Sequence, residues 1–318
     1  MQRLRLWSLV FALIAAGTAA AQYPSKPIRL IVPFPPGGAA ELTARILAQP
    51  LGAALGQPVI VESRPGGDGV IAARAVLKSA PDGYTLLYGT ATGMSMVPAT
   101  KKAPPYDPVA DFTPVSDVGR FGFFLLMHPS VPARTVAELL EYVRANPRKV
   151  NYGTGNSVAM ITTAQLAIEQ NLDVVHVPYK GDGPVTIDLL GGRVQMAIVT
   201  PATAMPHVKE GRLRALATTL PNRSPLAPDV PTMAEAGLGG VSVVAWAGLF
   251  GPPRMPREIV DRLARETASI LKRPEVRESL DRTAFEARSS TPEELAAFVQ
   301  AQVDTWRRAV RELGVALE

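Results

Sequence analysis

Short apolar runs alternate with amphipathic helical stretches along most of this chain, and that alternation restricts the fold more than any other feature. Ile28 to Val32 reads as a strand, followed by a helix from about Ala40 to Leu55, a strand from Val59 to Glu62, a helix around Ile71 to Lys78 and a strand from Thr85 to Tyr88. Strand, helix, strand predicts a parallel sheet, because parallel neighbours need a crossover and a helix is the usual one. The pattern resumes with a strand from Phe123 to Met127 and a helix opened by the capping box Thr135-x-x-Glu138. A strand near Val150 to Tyr152, a helix around Ile161 to Glu169 and strands Val174 to Val177 and Val194 to Val199 complete a second α/β sheet.

The C-terminal part is helical. Pro256 suits a first helical turn, and Ile259, Leu263, Ile270 and Leu271 fall on one face. A further helix starts at the capping box Thr291/Glu294 around Pro292, and Leu295, Phe298, Val299, Val303, Trp306, Val310 and Leu313 keep its apolar stripe. Trp306 is expected in the core. Pro50 cannot donate to the carbonyl of Ile46, so a bend or interruption is expected there.

The N-terminus is set apart from this pattern. Met1, Arg3 and Arg5 lead into the uncharged run Leu6 to Ala16, and Ala19-Ala20-Ala21 offers a small-residue cleavage site. Residues 1–21 therefore read as a secretory signal peptide, with the mature chain beginning at Gln22. The alternative, a retained anchor, suffers from the shortness of the apolar run, since a span needs about 20 apolar residues. An exported, soluble mature protein in the periplasm is expected.

Composition narrows the function classes. The chain has no cysteine, which excludes disulfides, thiolate catalysis and Cys-ligated metal centres. His128, His176 and His207 are the only imidazoles, and no two stand at a helical ligand spacing. A net charge of +5 over 318 residues suits a folded soluble protein rather than a nucleic-acid binder. No metal, cofactor or catalytic residue is expected.

In parallel α/β sheets ligands bind beyond the carboxyl ends of strands, so the loops after strands are the places to look. Pro33-Phe34-Pro35-Pro36-Gly37-Gly38-Ala39-Ala40-Glu41 joins the first strand to its helix. Glycines there let the backbone approach a ligand, and the free N–H groups and dipole of a helix start attract anions. A plain tight β–α turn is the alternative, although two prolines and two glycines exceed what a turn demands. Gly89-Thr90-Ala91-Thr92, Gly153-Thr154-Gly155-Asn156-Ser157, Pro178-Tyr179-Lys180-Gly181 and Thr200-Pro201 follow other strands. Their hydroxyls, amides and N–H groups can satisfy a carboxylate without a catalytic base. Gly153-x-Gly155 lacks the third glycine of a dinucleotide fingerprint, Val158 standing there, and neither a GxSxG elbow nor a P-loop occurs.

Over nearly the whole mature chain the sequence resembles the Bug-type extracytoplasmic solute receptors of tripartite tricarboxylate transporters. The resemblance rests on "IRLIVPFPPGG", "GQPVIVESRPGG", "PDGYTLL", "YDPVADFTPV", "VHVPYKG" and "DLLGGRV". It continues through "PHVKEGRLRALATT", "RSPLAPDVPTMAEAG", "FGPPRMPREIVDRL" and "TPEELAAFVQAQVDTW". Many ordered blocks together are specific where one alone would be weak.

The resemblance implies a two-lobed, type II-like periplasmic-binding-protein fold, each lobe a mainly parallel sheet flanked by helices. Residues 22–121 and 246–318 would form the first lobe and residues 122–245 the second. Crossovers near Gly119 to Gly122 and Val241 to Gly248 would make a two-segment hinge. The family's ligand-binding glycine loop matches Phe34, Pro35, Gly37, Gly38, Ala39 and Ala40, with Glu41 where the family usually has Asp. The other loops contribute Thr90, Ala91, Thr92, Thr154, Gly155, Asn156, Ser157, Tyr179, Lys180 and Thr200 as candidate ligand contacts. Lys180 is open to three readings: a partner for a distal carboxylate, a solvated rim lysine, or a mate for Asp182. Trp246 is expected to pack at the crossover rather than line the cleft, and His176 to sit in the core. The implied activity is capture of a small organic carboxylate by a monomer and its delivery to integral-membrane transporter subunits. Docking on a membrane-bound sensor kinase is the alternative outcome, and an exported α/β enzyme a distant third.

Overall fold

The computed structural model describes residues 23–239 and 243–312. The expected signal peptide and Gln22, the start of the expected second crossover at Val241 and the last stripe residue, Leu313, lie outside the described residues. The chain runs β1 (Ile28–Val32), α1 (Ala39–Leu55), β2 (Val59–Ser63), α2 (Val70–Leu77) and β3 (Thr85–Thr90). A π-helical turn at Thr92–Met96 leads into α3 (Val97–Thr100), then β4 (Thr113–Phe121), β5 (Phe124–Met127), α4 (Val136–Ala145), β6 (Asn151–Thr154) and α5 (Ser157–Glu169). β7 (Val175–Pro178), α6 (Asp182–Leu190), β8 (Met196–Val199), α7 (Pro201–Lys209) and β9 (Arg214–Thr218) follow. The chain closes with β10 (Ala245–Gly251), α8 (Arg257–Leu271), α9 (Pro274–Asp281), β11 (Phe285–Ala287) and α10 (Pro292–Glu312).

These elements form two sheets, one of six strands in the order β11-β4-β10-β3-β1-β2 and one of five in the order β7-β6-β8-β5-β9. The expected parallel units are present as β2-β1-β3 and β7-β6-β8. Each sheet is mixed, however, not mainly parallel. The chain leaves the first sheet on β4 and returns on β10, and strands that run out and back must pair antiparallel. β5, which enters the second sheet directly after β4, is likewise antiparallel to β8 and β9.

Burial on both faces explains why "IRLIV" has so little polar alternation. Ile28, Leu30 and Val32 join a core with Leu47 and Leu51 of α1 and Leu263 of α8, while Ile31 packs the opposite way with Leu87, Phe250 and Trp246. The second sheet buries Phe124, Leu126 and Val199 against Val185 and Leu189 of α6. Pro50 does not interrupt α1, which is continuous from Ala39 to Leu55. The buried face Ala44, Leu47, Ala48, Leu51 and Leu55 holds the helix against the sheet despite the one missing donor.

The Thr291/Glu294 capping box closes in both directions, whereas the Thr135/Glu138 box forms only its Thr135 half, because the Glu138 carboxylate accepts from Arg134 N at 2.6 Å instead. Glu138 N donates to Thr135 Oγ1 over 3.2 Å, and Thr291 and Glu294 bond each other's backbone N–H at 2.9 and 3.1 Å. Helix α10 packs back on β4 and on the π-helical turn, which returns the last described helix to the first sheet. Trp306 is half-buried at the edge of that packing rather than fully in the core. Trp246 is wholly buried, edge-on to Phe298 with ring centroids 5.3 Å apart, and takes no part in the cleft wall.

Candidate ligand-binding cleft

The parallel strands of each sheet end at the edge that faces the other lobe, and the loops that follow them meet around a cavity of about 590 Å³, its open mouth included. The first lobe contributes Phe34, Pro35, Pro36, Gly38, Ala39 and Ala40 from the loop after β1, and Thr90, Ala91 and Thr92 from the end of β3. The second contributes Asn156, Thr200 and the segment Gly181–Pro184; Phe121, Phe123 and Ala245 complete the wall where the chain crosses between lobes. The lobes touch beside the cavity. Ser157 Oγ donates to Asp68 of the first lobe, and a Cβ added to Gly181 would lie 3.2 Å from Cδ of Pro35.

On the first-lobe wall the turn is made by Gly37, whose φ of +82° is strained for any residue with a Cβ. Gly38 is the N-cap of α1 at φ −84°, ψ 166°, with no side chain capping the helix. Ala39 and Ala40 therefore bring first-turn N–H groups to the wall with only methyl groups around them. Glu41 is buried behind this turn. Its carboxylate accepts from Gly37 N at 3.4 Å and pairs with Arg45, so the acid supports the loop and is absent from the wall. Beside the helix start stands Thr90, 4% exposed, whose Oγ1 has no hydrogen-bond partner. Leaving a buried hydroxyl unpaired costs about 1–3 kcal/mol, so Thr90 Oγ1 is in need of a partner.

On the second-lobe wall Asn156 caps α5, its Oδ1 accepting from Ala159 N at 2.9 Å. Its Nδ2 donates to Asp182 Oδ1 at 3.2 Å, while Asp182 Oδ2 accepts from Thr200 N at 2.9 Å and Thr200 Oγ1 at 2.7 Å. Burial pushes the Asp182 carboxyl above the usual carboxylate range, with the Thr200 and Asn156 donors pulling the other way.

Several expected contacts lie off the wall, for local reasons. Gly37 makes the turn behind it. Thr154 is turned to His176, its Oγ1 2.7 Å from Nε2, and His176 is half-buried, stacked on Tyr152, its pKa lowered by burial. Gly155 packs against the backbone of Gly181 and Asp182, where a Cβ would approach to 2.4 Å, and Ser157 is used in the bridge to Asp68. Tyr179 donates to Asp188 at 2.7 Å and does not line the cavity. Lys180 is exposed and outside the wall, and it forms no pair with Asp182, whose oxygens are taken by Thr200 and Asn156.

Phe121, Phe123, Ala245 and the Asp182–Pro184 segment belong to the wall without having been expected there. Asp182 carried a signal, an acid at a helix start directly after a strand, but that pattern also describes an ordinary dipole complement. Among the described residues no group of three acidic or imidazole side chains is placed to hold a metal, and no helix is long and apolar enough to cross a membrane.

A two-lobed α/β molecule with a cavity lined by both lobes has a periplasmic-binding-protein fold. Residues 43–315 match the family described as the tripartite tricarboxylate transporter family receptor, and the chain belongs to that family. It is 35% identical to protein BugT of Bordetella pertussis over 312 residues, which cover 96% of this chain and 94% of that one. An R. palustris protein solved with adipate is 32% identical, with a TM-score of 0.88 over 92% of this chain and 99% of that one. MatC from Rhodopseudomonas palustris, solved with bound malate, is 31% identical, with a TM-score of 0.85 over 91% of this chain and 100% of that one.

Proposed function

We propose that this chain is an exported solute receptor that captures a small organic carboxylate between its lobes and delivers it to the membrane subunits of a tripartite tricarboxylate-type transporter. The observation that carries the reading is the first-lobe wall, where the uncapped start of α1 and Thr90, whose buried hydroxyl has no partner, line one cavity. Backbone N–H groups at a helix start with a hydroxyl alongside form a carboxylate acceptor that needs no positive side chain. Adipate and malate in the two related structures support a carboxylate as the ligand class.

In this reading Phe34, Pro35, Gly38, Ala39, Ala40, Thr90, Ala91 and Thr92 hold the ligand from the first lobe, and Asn156 and Thr200 close on it from the second. Residues 22–121 with 246–318 move against residues 122–245. Gly119 and Gly122 supply the hinge on the outward crossing, and the segment leading into β10 supplies it on the return. Residues 1–21 direct export and are removed before Gln22, which places the receptor in the periplasm.

Calorimetry and thermal shift on ligand-stripped protein, with mono-, di- and tricarboxylates against neutral amides and sugars, test the reading. A carboxylate at one hundred times its Kd should stabilise the protein by about 2.7 kcal/mol, and neutral compounds should not. Binding of sugars or amides with no response to any carboxylate would overturn it.

A further inference from the structure

The second-lobe wall has an anion site of its own. Strands β6, β7 and β8 are parallel neighbours, so they end at the same edge of the sheet, and the helices that follow them start side by side. The start of α5 is capped by Asn156, α6 begins at Asp182, and α7 begins just after Thr200. Each start carries roughly half a positive charge, so three of them together favour an anion at their meeting point. The meeting point already holds one. The Asp182 carboxylate, 8% exposed, accepts from Thr200 N, Thr200 Oγ1 and Asn156 Nδ2, and it forms no ion pair. The wall has no Lys, Arg or His, and Lys180, two residues away, is exposed outside it.

On the reading that the cavity receives a carboxylate, we propose that Asp182 fills the second lobe's anion site from within, so that the cleft selects small monocarboxylates over dicarboxylates of equal length. The two walls then have separate tasks. The ligand's carboxylate goes to the start of α1 and Thr90, where the chain supplies no wall-facing negative charge, since Glu41 is turned back to Gly37 and Arg45. A second carboxylate would have to lie beside Asp182 in a partly enclosed cleft whose wall has no cation to compensate, which is unfavourable. An uncharged or hydrogen-bond-donating far end meets no such penalty, and Asp182 Oδ1, with one accepted bond, can take one more donor. Between the ends, Phe34, Phe121, Phe123 and Pro184 suit an apolar body.

Matched probes test this on the mature chain. Straight-chain dicarboxylates of about four to eight carbons are titrated calorimetrically against the monoamide of each, at a pH where both carboxylates are ionised. At the length that binds tightest, the monoamide should bind more than threefold tighter than the diacid, with about tenfold expected from one unfavourable charge contact. A ratio of threefold or less, or a preference for the diacid, overturns the proposal and leaves the carboxylate reading standing. No binding by any pair removes both. The Asp182→Ser variant, checked for native circular dichroism, should lose the discrimination or reverse it by opening the Thr200 N–H to a second carboxylate. A folded variant that keeps the wild-type ratio shows that Asp182 is not its source and overturns the assignment. If the Ser variant does not fold, Asp182→Asn removes the charge at the same shape and is read in the same way, and the wild-type ratio decides by itself.

Discussion

Both walls of the cleft are made where helices begin after parallel strands, and each has an acidic residue in the first turn of one of those helices. Their environments part company there. Glu41 is drawn behind its loop by Gly37 N–H and the Arg45 guanidinium, which leaves the start of α1 facing the cavity beside an unpartnered Thr90 hydroxyl. Asp182 has no cation and sits among three helix starts, satisfied by Thr200 and Asn156 on the wall itself. One acid clears a site and the other fills one. Which of these an acid does depends on whether a neighbouring turn carries a basic partner, as the i, i+4 spacing of Glu41 and Arg45 does and the surroundings of Asp182 do not.

The largest expected effect breaks the first wall. Gly38 has an ordinary extended conformation, and a Cβ there would meet only Pro35 O at 3.4 Å, so Gly38→Val should fold with near wild-type stability. Its isopropyl group would nevertheless stand over the N–H groups of α1, and ligand affinity should fall by about a hundredfold or more on calorimetry, the loss of roughly two charge-assisted hydrogen bonds. Gly37→Val is the control for conformation rather than contact. At φ +82° it should cost about 1–2 kcal/mol of stability, measured by urea unfolding.

Next comes Thr90→Val, which sharpens the same point with opposite signs in two measurements. Because Thr90 Oγ1 has no partner in the protein, replacing it by a methyl group should leave the melting temperature unchanged or higher. Ligand affinity should drop about tenfold, the worth of one hydrogen bond to a carboxylate. A variant that loses stability and keeps affinity would show the hydroxyl to be structural.

The second wall is probed through pH. Burial raises the Asp182 carboxyl above its ordinary value near 4, so the folded state binds this proton more tightly than the unfolded chain. Its stabilising share is present at low pH and is lost as the pH rises through the ordinary carboxylate value towards the raised one. The Asp182→Asn variant lacks this loss. Its melting temperature relative to wild type should therefore move in the variant's favour as the pH rises from 4 to 7. A difference independent of pH would mean that the carboxylate is fully compensated by Thr200 and Asn156.

The smallest effect is expected for Lys180→Ala. Exposed and off the wall, Lys180 adds at most a screened long-range attraction, so affinity should change less than about twofold, and the change should vanish in high salt.

The contrast between the walls also shows what a sequence reveals. β1, α1, β2 and β3 are readable because a short run buried on both faces and a helix with one apolar stripe leave different periodicities. The glycine loop is readable because its composition exceeds the needs of a turn. The crossing strands are harder. β4 contains Pro114 and Gly119, β10 contains Gly248 and Gly251, and their pairing spans a chain separation that no local pattern records. Thr154, Tyr179 and Ser157 have the right chemistry at the right strand ends. Which way each side chain turns was decided by His176, Asp188 and Asp68, none of them adjacent in sequence. Asp182, weighed in the sequence only as a mate for Lys180, was missed as a wall residue for the converse reason: an acid at a helix start is common, and its significance lies in two further helices that only the sheet order brings beside it.

The most direct measurement is a crystal structure of the mature chain with a bound monocarboxylate, such as the tightest-binding monoamide. The account predicts the carboxylate at the start of α1, accepting from first-turn N–H groups and from Thr90 Oγ1, with the uncharged end towards Asp182. A carboxylate seated instead against Thr200 and Asn156 with Asp182 displaced, or bound outside the cavity, would contradict it.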